Sequence, residues 1–448
     1  MISRRALLSS AAAAAVQGAA ARPNFIVFLS DDHGSRDLGC NGATDVRTPN
    51  IDALAASGAR WTNWYANAPM CAPSRAGLMT GRYPIRCGVP SNGPALPPSE
   101  LTIAKLLKRQ GYNTGLFGKW HLGSDDQSCP NAHGFDYFFG FHSGCIDFYS
   151  HRVYWGEPKT VNYHDLWRNR TEVFEDGQYF TELITREVTA FLSSNRNQPF
   201  FLYIPYNAVH YPMHAPQKYV ERFSSLERER RMYCAMLSAM DDSVGEIISH
   251  LKRLGLYDNT MIFFGGDNGA TTEARAGLDG KPGTAGINKP YRGFKFSLFD
   301  GGVHVPAILS WPGRIPAGQV IGEVGTHIDL MPTIVTAAGG QVPTDRTVDG
   351  RDILPVAAGK ASSPHEALFW SSGKQLAVRR GKFKLVKDGF TADGSPDGRK
   401  PLTGDDALFL SELDADPGES RNLRRIHPNV VDELLTMATR WEQEVRQP

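Results

Sequence analysis

The chain has 448 residues, 41% of them hydrophobic and 21% charged. At roughly 150 residues per domain this predicts two or three domains with a sizeable core, and it excludes a stapled mini-protein, wholesale disorder, a coiled coil and a multi-span membrane protein. A formal net charge of +1 leaves no global field to draw the protein to nucleic acid or to an anionic membrane, so function must reside in local clusters. Six cysteines are too few for a disulfide framework.

Residues 1–21 read as an export signal. Arg4 and Arg5 precede an apolar run from Ala6 to Val16, and Ala19 to Ala21 offers a small-residue cleavage site before Arg22. The run from Ser3 to Leu8 is similar to a twin-arginine signal, which is read by machinery that moves folded proteins. The apolar run is too short for a bilayer span. The expectation is an exported bacterial protein, periplasmic or extracellular, with no stable membrane anchor.

From 22 to 360, short β-rich runs alternate with helical patterns, which predicts an α/β sandwich with a mostly parallel sheet. The expected buried strands are Phe25 to Leu29, Thr114 to Phe117, Phe200 to Pro205, Thr260 to Phe264 and Val305 to Ser310. Ser99 is placed to cap a helix carrying Leu101, Ala104, Leu106 and Leu107, and the spacing of Phe180, Leu183, Ile184, Val188, Phe191 and Leu192 predicts a second. A longer helix is expected from about Glu227 to Leu254. Beyond the Pro- and Gly-rich stretch near 342–360 the texture changes. Leu376 to Arg379, Phe383 to Val386 and Ala407 to Leu410 read as strands and Pro428 to Val445 as a closing helix, which predicts a smaller α+β domain with an antiparallel sheet over 361–448.

Chemistry concentrates at strand ends. The first strand runs into Ser30-Asp31-Asp32-His33, and the fourth into Gly265-Gly266-Asp267-Asn268-Gly269. In an open α/β sheet both clusters can face one crevice at the carboxyl ends of the strands. Adjacent carboxylates repel unless a cation neutralises them. The all-oxygen donors Asp31, Asp32, Asp267 and Asn268 suit Ca²⁺ or Mg²⁺ better than Zn²⁺. Between the clusters lies Cys71-Ala72-Pro73-Ser74-Arg75, continuing to Leu78, Thr80, Gly81 and Arg82. Taken bare, Cys71 is open to three readings: half a disulfide, a buried thiol, or a nucleophile activated beside Arg75.

The run from Cys71 to Arg82 resembles the C-x-P-S-R and L-x-T-G-R signature of the type I sulfatases, in which the cysteine is oxidised to formylglycine. Gly118-Lys119-Trp120-His121-Leu122-Gly123 is similar to the family's second signature, and His210-Tyr211-Pro212 to its H-x-P element. Asp267-Asn268-Gly269 is similar to its second metal segment, Arg292-Gly293-x-Lys295 to its lysine motif, and the stretch from Asp416 to Leu423 to its D-P-x-E-x-x-N-L turn. The pattern departs at Asp300-Gly301-Gly302-Val303-His304, where E-G-G-x-R is expected. These positions are expected to support the lysine rather than to react.

The resemblance implies an alkaline-phosphatase-like fold and a sulfuric ester hydrolase. Asp31, Asp32, Asp267, Asn268 and modified Cys71 would hold the metal, Ca²⁺ or alternatively Mg²⁺. A hydrated formylglycine at position 71, its pKa lowered by the cation and Arg75, would attack sulfur. His210 would protonate the leaving oxygen and His121 would take the proton that lets sulfate leave. Lys119 and Lys295 would hold the sulfuryl oxygens. The segments Phe138 to Phe141 and Asp147 to His151 resemble those of arylsulfatase B-type enzymes acting on sulfated amino sugars, with aromatic rings either stacking a sugar or packing the core. His133, His142, His151 and His304 are further candidates to contact the leaving group. The substrate would be a small-molecule or oligosaccharide sulfate ester, and a formylglycine-generating enzyme is an implied partner. Alternatives are a phosphonate or phosphodiester hydrolase of the same superfamily and a catalytically silent protein that binds sulfated glycans.

Overall fold

The computed structural model describes residues 22–154, 162–390 and 400–447. The expected export signal at 1–21 lies outside the described residues. No helix among the described residues is long and apolar enough to cross a membrane.

Five parallel strands form the middle of a ten-stranded sheet, in the order Tyr137–Phe141, Asn113–Lys119, Phe200–Pro205, Asn24–Ser30 and Thr260–Gly266. The register aligns their ends: Leu29 lies opposite Pro205, and Ser30 opposite Gly266. Side chains alternate across this sheet, and both faces are buried, as a sheet covered on both sides requires. Ile26 and Phe28 join one core with the helices Phe180–Ser194 and Arg228–Arg253. Phe25, Val27 and Leu29 join the other, beneath the helices Cys71–Thr80, Ile103–Arg109 and Leu330–Ala337.

Several expectations shift in detail. The strand expected from Val305 starts at Ala307, after Pro306, and runs antiparallel to Thr260–Gly266. Thr102, not Ser99, caps the helix Ile103–Arg109, because its hydroxyl accepts from Lys105 N at 3.1 Å while its backbone is extended. The helix Cys71–Thr80 was not anticipated, since all ten of its residues are buried and it carries no amphipathic stripe.

The C-terminal part is a four-stranded antiparallel sheet of Leu368–Ser372, Gln375–Arg380, Phe383–Lys387 and Leu408–Glu412 with the helix Pro428–Val445 beside it. Its first strand was missed by the sequence reading. This sheet shares cores with the larger one: Tyr83 and Ile328 pack with Leu376 and Trp441, and Tyr65, Leu298 and Phe299 with Trp370 and Phe409.

Candidate active site

The aligned strand ends deliver the polar residues to one place. Asp31 and Asp32 follow Asn24–Ser30, Asp267 and Asn268 follow Thr260–Gly266, Lys119 ends its own strand, and His210 follows Phe200–Pro205. Cys71 is the first residue of its helix, at the positive end of the helix dipole. Asp32 and His121 hold left-handed backbone, with φ of 55° and 59°, a conformation uncommon outside glycine that clusters at functional sites.

The buried charges interlock. Cys71 Sγ lies 3.2 Å from Asp31 Oδ1 and 3.9 Å from Asp32 Oδ1. Arg75 donates through Nη2 and Nε to Asp267 Oδ2 at 2.7 and 3.1 Å, and its Nη2 stands 3.6 Å from Asp31. Lys119 Nζ donates to Asp31 Oδ2 at 2.6 Å. Lys295 Nζ lies 2.9 Å from Asp32, 3.3 Å from Glu273 and 3.3 Å from His210 Nε2. With Arg275, whose Nη2 stands 3.7 Å from Glu273, four cationic side chains thus face four carboxylates. Glu273 lies beyond the Asp267-Asn268-Gly269 motif, and no pattern in the sequence marks it as a fourth acid of the site.

The titration of these groups follows from burial and this ledger. Burial opposes ionisation of Asp31, but Lys119 and Arg75 outweigh it and lower its pKa. Asp32 moves up, through burial and, despite Lys295, the charges of Asp31 and Asp267. Burial works against the charge of Lys295, yet Asp32 and Glu273 raise it well above the ordinary lysine range. Burial, followed by the Asp267 and Asp31 charges, pushes the Cys71 thiol well up, which argues against a bare thiolate nucleophile. Burial and neighbouring lysines hold His121 and His210 well below the usual histidine range. His210 Nδ1 donates to Tyr211 O at 2.7 Å, which leaves Nε2 to accept from Lys295.

Carboxylates gathered at adjacent strand ends are half of a cation site. The other half is an unused donor: the buried Asn268 Oδ1 has no hydrogen-bond partner among the described residues. Ligand atoms of Asp31, Asp32, Cys71 and His210 lie within 4.8 Å of one another. The carboxylates and the amide oxygen together fit a hard divalent cation.

Above this floor opens a cavity of about 790 Å³, lined by Cys71, His121, His142, His210, Glu273 and Lys295 among others. Two expected substrate contacts need correction. His304 does not line the cavity: its ring stacks on Tyr291 at 4.1 Å and its Nε2 donates to Thr62 O at 2.8 Å. His151 does not line it either, because it is wholly buried and donates to Gln178 O. His133 is also buried elsewhere, against Leu96 O, so His142 alone of those four histidines faces the cavity. Phe138, Phe139, Phe141 and Phe148 are core residues. The aromatic rings on the cavity wall are Tyr163, Trp167, Tyr211 and Phe296, none of which belongs to the aromatic runs the sequence singled out.

The C-terminal sheet reaches this site. Gln375 Nε2 donates to Phe296 O at 2.7 Å, and Gln375 Oε1 accepts from Leu298 N at 3.2 Å. On the other side, Phe296 N donates to Pro69 O and Lys295 N to Ala270 O. The backbone bearing Lys295 is therefore clamped between Gln375 of the C-terminal sheet and the loops that carry Pro69 and Ala270. Gln375→Ala is expected to lower kcat/KM by about tenfold, since small displacements of a positioned group cost heavily. It should also destabilise the fold by about 1–3 kcal/mol through the orphaned buried groups. Steady-state kinetics and thermal melting check both.

A family model described as Sulfatase matches residues 23–340. N-acetylgalactosamine-6-sulfatase of Mus musculus is 37% identical over 84% of this chain and 74% of its own length. Steryl-sulfatase of Rattus norvegicus is 34% identical over 78% of this chain and 72% of its own. Among solved structures, Ps i-CgsB in complex with k-i-k-neocarrahexaose superposes with a TM-score of 0.84 at 30% identity, covering 95% of this chain and 94% of that one.

Proposed function

The chain belongs to the sulfatase family and is a sulfatase, and on that premise we propose that it hydrolyses sulfate monoesters of a carbohydrate at Cys71, matured to formylglycine, with a bound divalent cation. The observation that carries the reading is the placement of Cys71. It is buried at a helix N-terminus, 3.2 Å from Asp31, and lines the cavity together with Lys295, with Arg75 and Lys119 paired to Asp267 and Asp31 beside it. The carbohydrate rests on the named relatives and on the aromatic wall of Tyr163, Trp167 and Tyr211, whose rings suit the apolar face of a sugar.

A formylglycine at position 71 supplies an oxygen nucleophile, and a cation among Asp31, Asp32, Asp267 and Asn268 supplies charge to activate it and offset the sulfate. Ca²⁺ is the favoured ion and Mg²⁺ the alternative. The remaining work falls to side chains. Lys119 and Lys295 bind sulfuryl oxygens, and both are already desolvated and held charged by carboxylates, so little reorganisation is needed. His210 Nε2 passes a proton to the leaving oxygen. Its low pKa reflects burial and the lysine charges beside it; the single negative charge of an arriving sulfate ester offsets part of that positive charge and raises it. His121 lines the same cavity with a buried Nδ1 that has no hydrogen-bond partner among the described residues, and it serves as the complementary base. The formylglycine-generating enzyme and the export route remain part of this proposal, together with a periplasmic or extracellular site of action.

The test compares turnover of an aryl sulfate with that of a matched aryl phosphonate and a phosphodiester. A large preference for sulfate is expected, and preference for either phosphorus ester would overturn the reading. Chelation should abolish turnover and lower the melting temperature by several degrees, because an ion at 100 times its Kd contributes about 2.7 kcal/mol. Ca²⁺ should restore both.

A further inference from the structure

We propose that His151, His164 and Asp176 form a second metal site, suited to Zn²⁺ rather than to Ca²⁺ or Mg²⁺ and separate from the catalytic centre. One ligating atom from each lies within 4.8 Å of the other two. His151 Nε2 donates to Gln178 O at 3.2 Å and His164 Nδ1 donates to Glu172 Oε1 at 2.9 Å. Each of those nitrogens thereby carries the hydrogen, and it is the opposite nitrogen of each ring that can offer a lone pair to a metal. Those nitrogens, His151 Nδ1 and His164 Nε2, are both buried and have no hydrogen-bond partner among the described residues. Two buried imidazoles, each oriented through its far N–H by a carbonyl or a carboxylate, make the outer arrangement that metal-binding histidines require.

Asp176 supplies the third donor. Its Oδ2 stands 4.0 Å from His164 Nε2, and the side chain is 53% exposed, which opens a path from solvent and a position for water. Ligands on a tetrahedral Zn²⁺ lie roughly 3.4 Å apart, so binding needs the ligand atoms, now within 4.8 Å of one another, to draw in by at most about 1.4 Å, and by about 0.6 Å for Asp176 and His164. Imidazole donors exclude Ca²⁺ and Mg²⁺ as the preferred occupants. Asp176 and Glu172 together balance the double charge of the ion. His151 also holds left-handed backbone, φ 53°, a conformation that carries strain for a non-glycine residue.

The site has a structural consequence for the catalytic cavity. Arg152 and His164 pair as antiparallel neighbours, so His151 and His164 sit on one ribbon. Tyr163, Asp165 and Trp167 line the catalytic cavity while His164 does not, as alternation along an extended chain dictates. A bound Zn²⁺ would tie this ribbon to the turn preceding the helix Phe180–Ser194 and so hold the cavity wall.

The test titrates Zn²⁺, and Co²⁺ as its spectroscopic stand-in, into the purified protein with Ca²⁺ in excess. One Zn²⁺ per chain is expected, with a rise in melting temperature and visible Co²⁺ absorption of a four-coordinate site. His164→Gln and Asp176→Asn should each weaken binding by at least about tenfold and remove the thermal shift, whereas Cys71→Ala should bind as the parent does. Absence of Zn²⁺ binding, or equal binding by the parent and Asp176→Asn, would overturn the proposal. Asp176 is exposed enough that its variant keeps the test decisive should His164→Gln fail to fold.

Discussion

Cys71→Ala is expected to reduce sulfate ester turnover by at least about 10⁴-fold while leaving the melting temperature within a few degrees of the parent. Loss of a nucleophile that acts in concert with its neighbours leaves only the catalysis supplied by binding and electrostatics. The structural cost is small because a single heavy atom is removed from a helix N-terminus, roughly 1 kcal/mol. Arg75 keeps its bond to Asp267, and Lys119 its bond to Asp31, so no buried charge is orphaned. Rates on an aryl sulfate and calorimetric melting measure the two arms. Substantial residual turnover would remove position 71 from the mechanism. Mass spectrometry of the parent peptide should show residue 71 about 18 Da lighter than cysteine, and an unmodified thiol in fully active protein would sink the formylglycine reading independently.

What the sequence discloses here is set by physical scale. Asn24–Ser30 and Thr260–Gly266 are apolar runs that lead into acidic residues, so the fold class and the acidic strand ends are legible, whereas Tyr137–Phe141 is not among the expected strands. Register then brings Asp31 and Asp267 together without further information. Glu273 and Gln375 are not legible in this way. Glu273 acts through a contact with Lys295, and Gln375 through backbone groups of Phe296 and Leu298, and neither belongs to a periodic pattern. His304 and His151 were misplaced for a related reason. A histidine's residue type announces titratable chemistry, but only packing decides whether its ring meets a cavity, a tyrosine or another histidine. The aromatic runs misled similarly: alternation puts Phe138 on one face of the sheet and Phe139 on the other, and both faces are core.

Lys384→Met should destabilise the protein by about 3–5 kcal/mol, the cost of breaking a buried ion pair from one side. Lys384 is fully buried on the C-terminal sheet and meets Asp300 Oδ1 at 2.5 Å, with Glu419 at 3.9 Å. Asp300 opens the sequence that departs from the expected E-G-G-x-R, and its other oxygen accepts from Tyr65 OH at 2.9 Å, while Arg379 donates to the same tyrosine. Asp300 N donates to Glu419 Oε2 at 2.6 Å. The cluster therefore joins the C-terminal sheet to the segment that carries Lys295. Without the ammonium, Asp300 stays buried beside Glu419 with only its hydrogen bonds and the more distant Arg379 charge to offset it. Asp300→Asn in the same chain should recover part of the loss, and the coupling between the two is read from a double-mutant cycle. The pH dependence gives a separate check. Glu419 is raised in the fold by burial and, despite Lys384, by the Asp300 charge. A carboxyl raised in the native state binds its proton more tightly there than in the unfolded chain, so its stability contribution is complete below the unfolded value and declines as pH rises toward the folded one. Glu419→Gln, which cannot ionise, should therefore gain stability relative to the parent between mildly acidic and neutral pH. Melting curves of both proteins across that range should diverge with this sign, and a gap that stays constant or shrinks would show that Glu419 is ionised in the fold as freely as in the open chain.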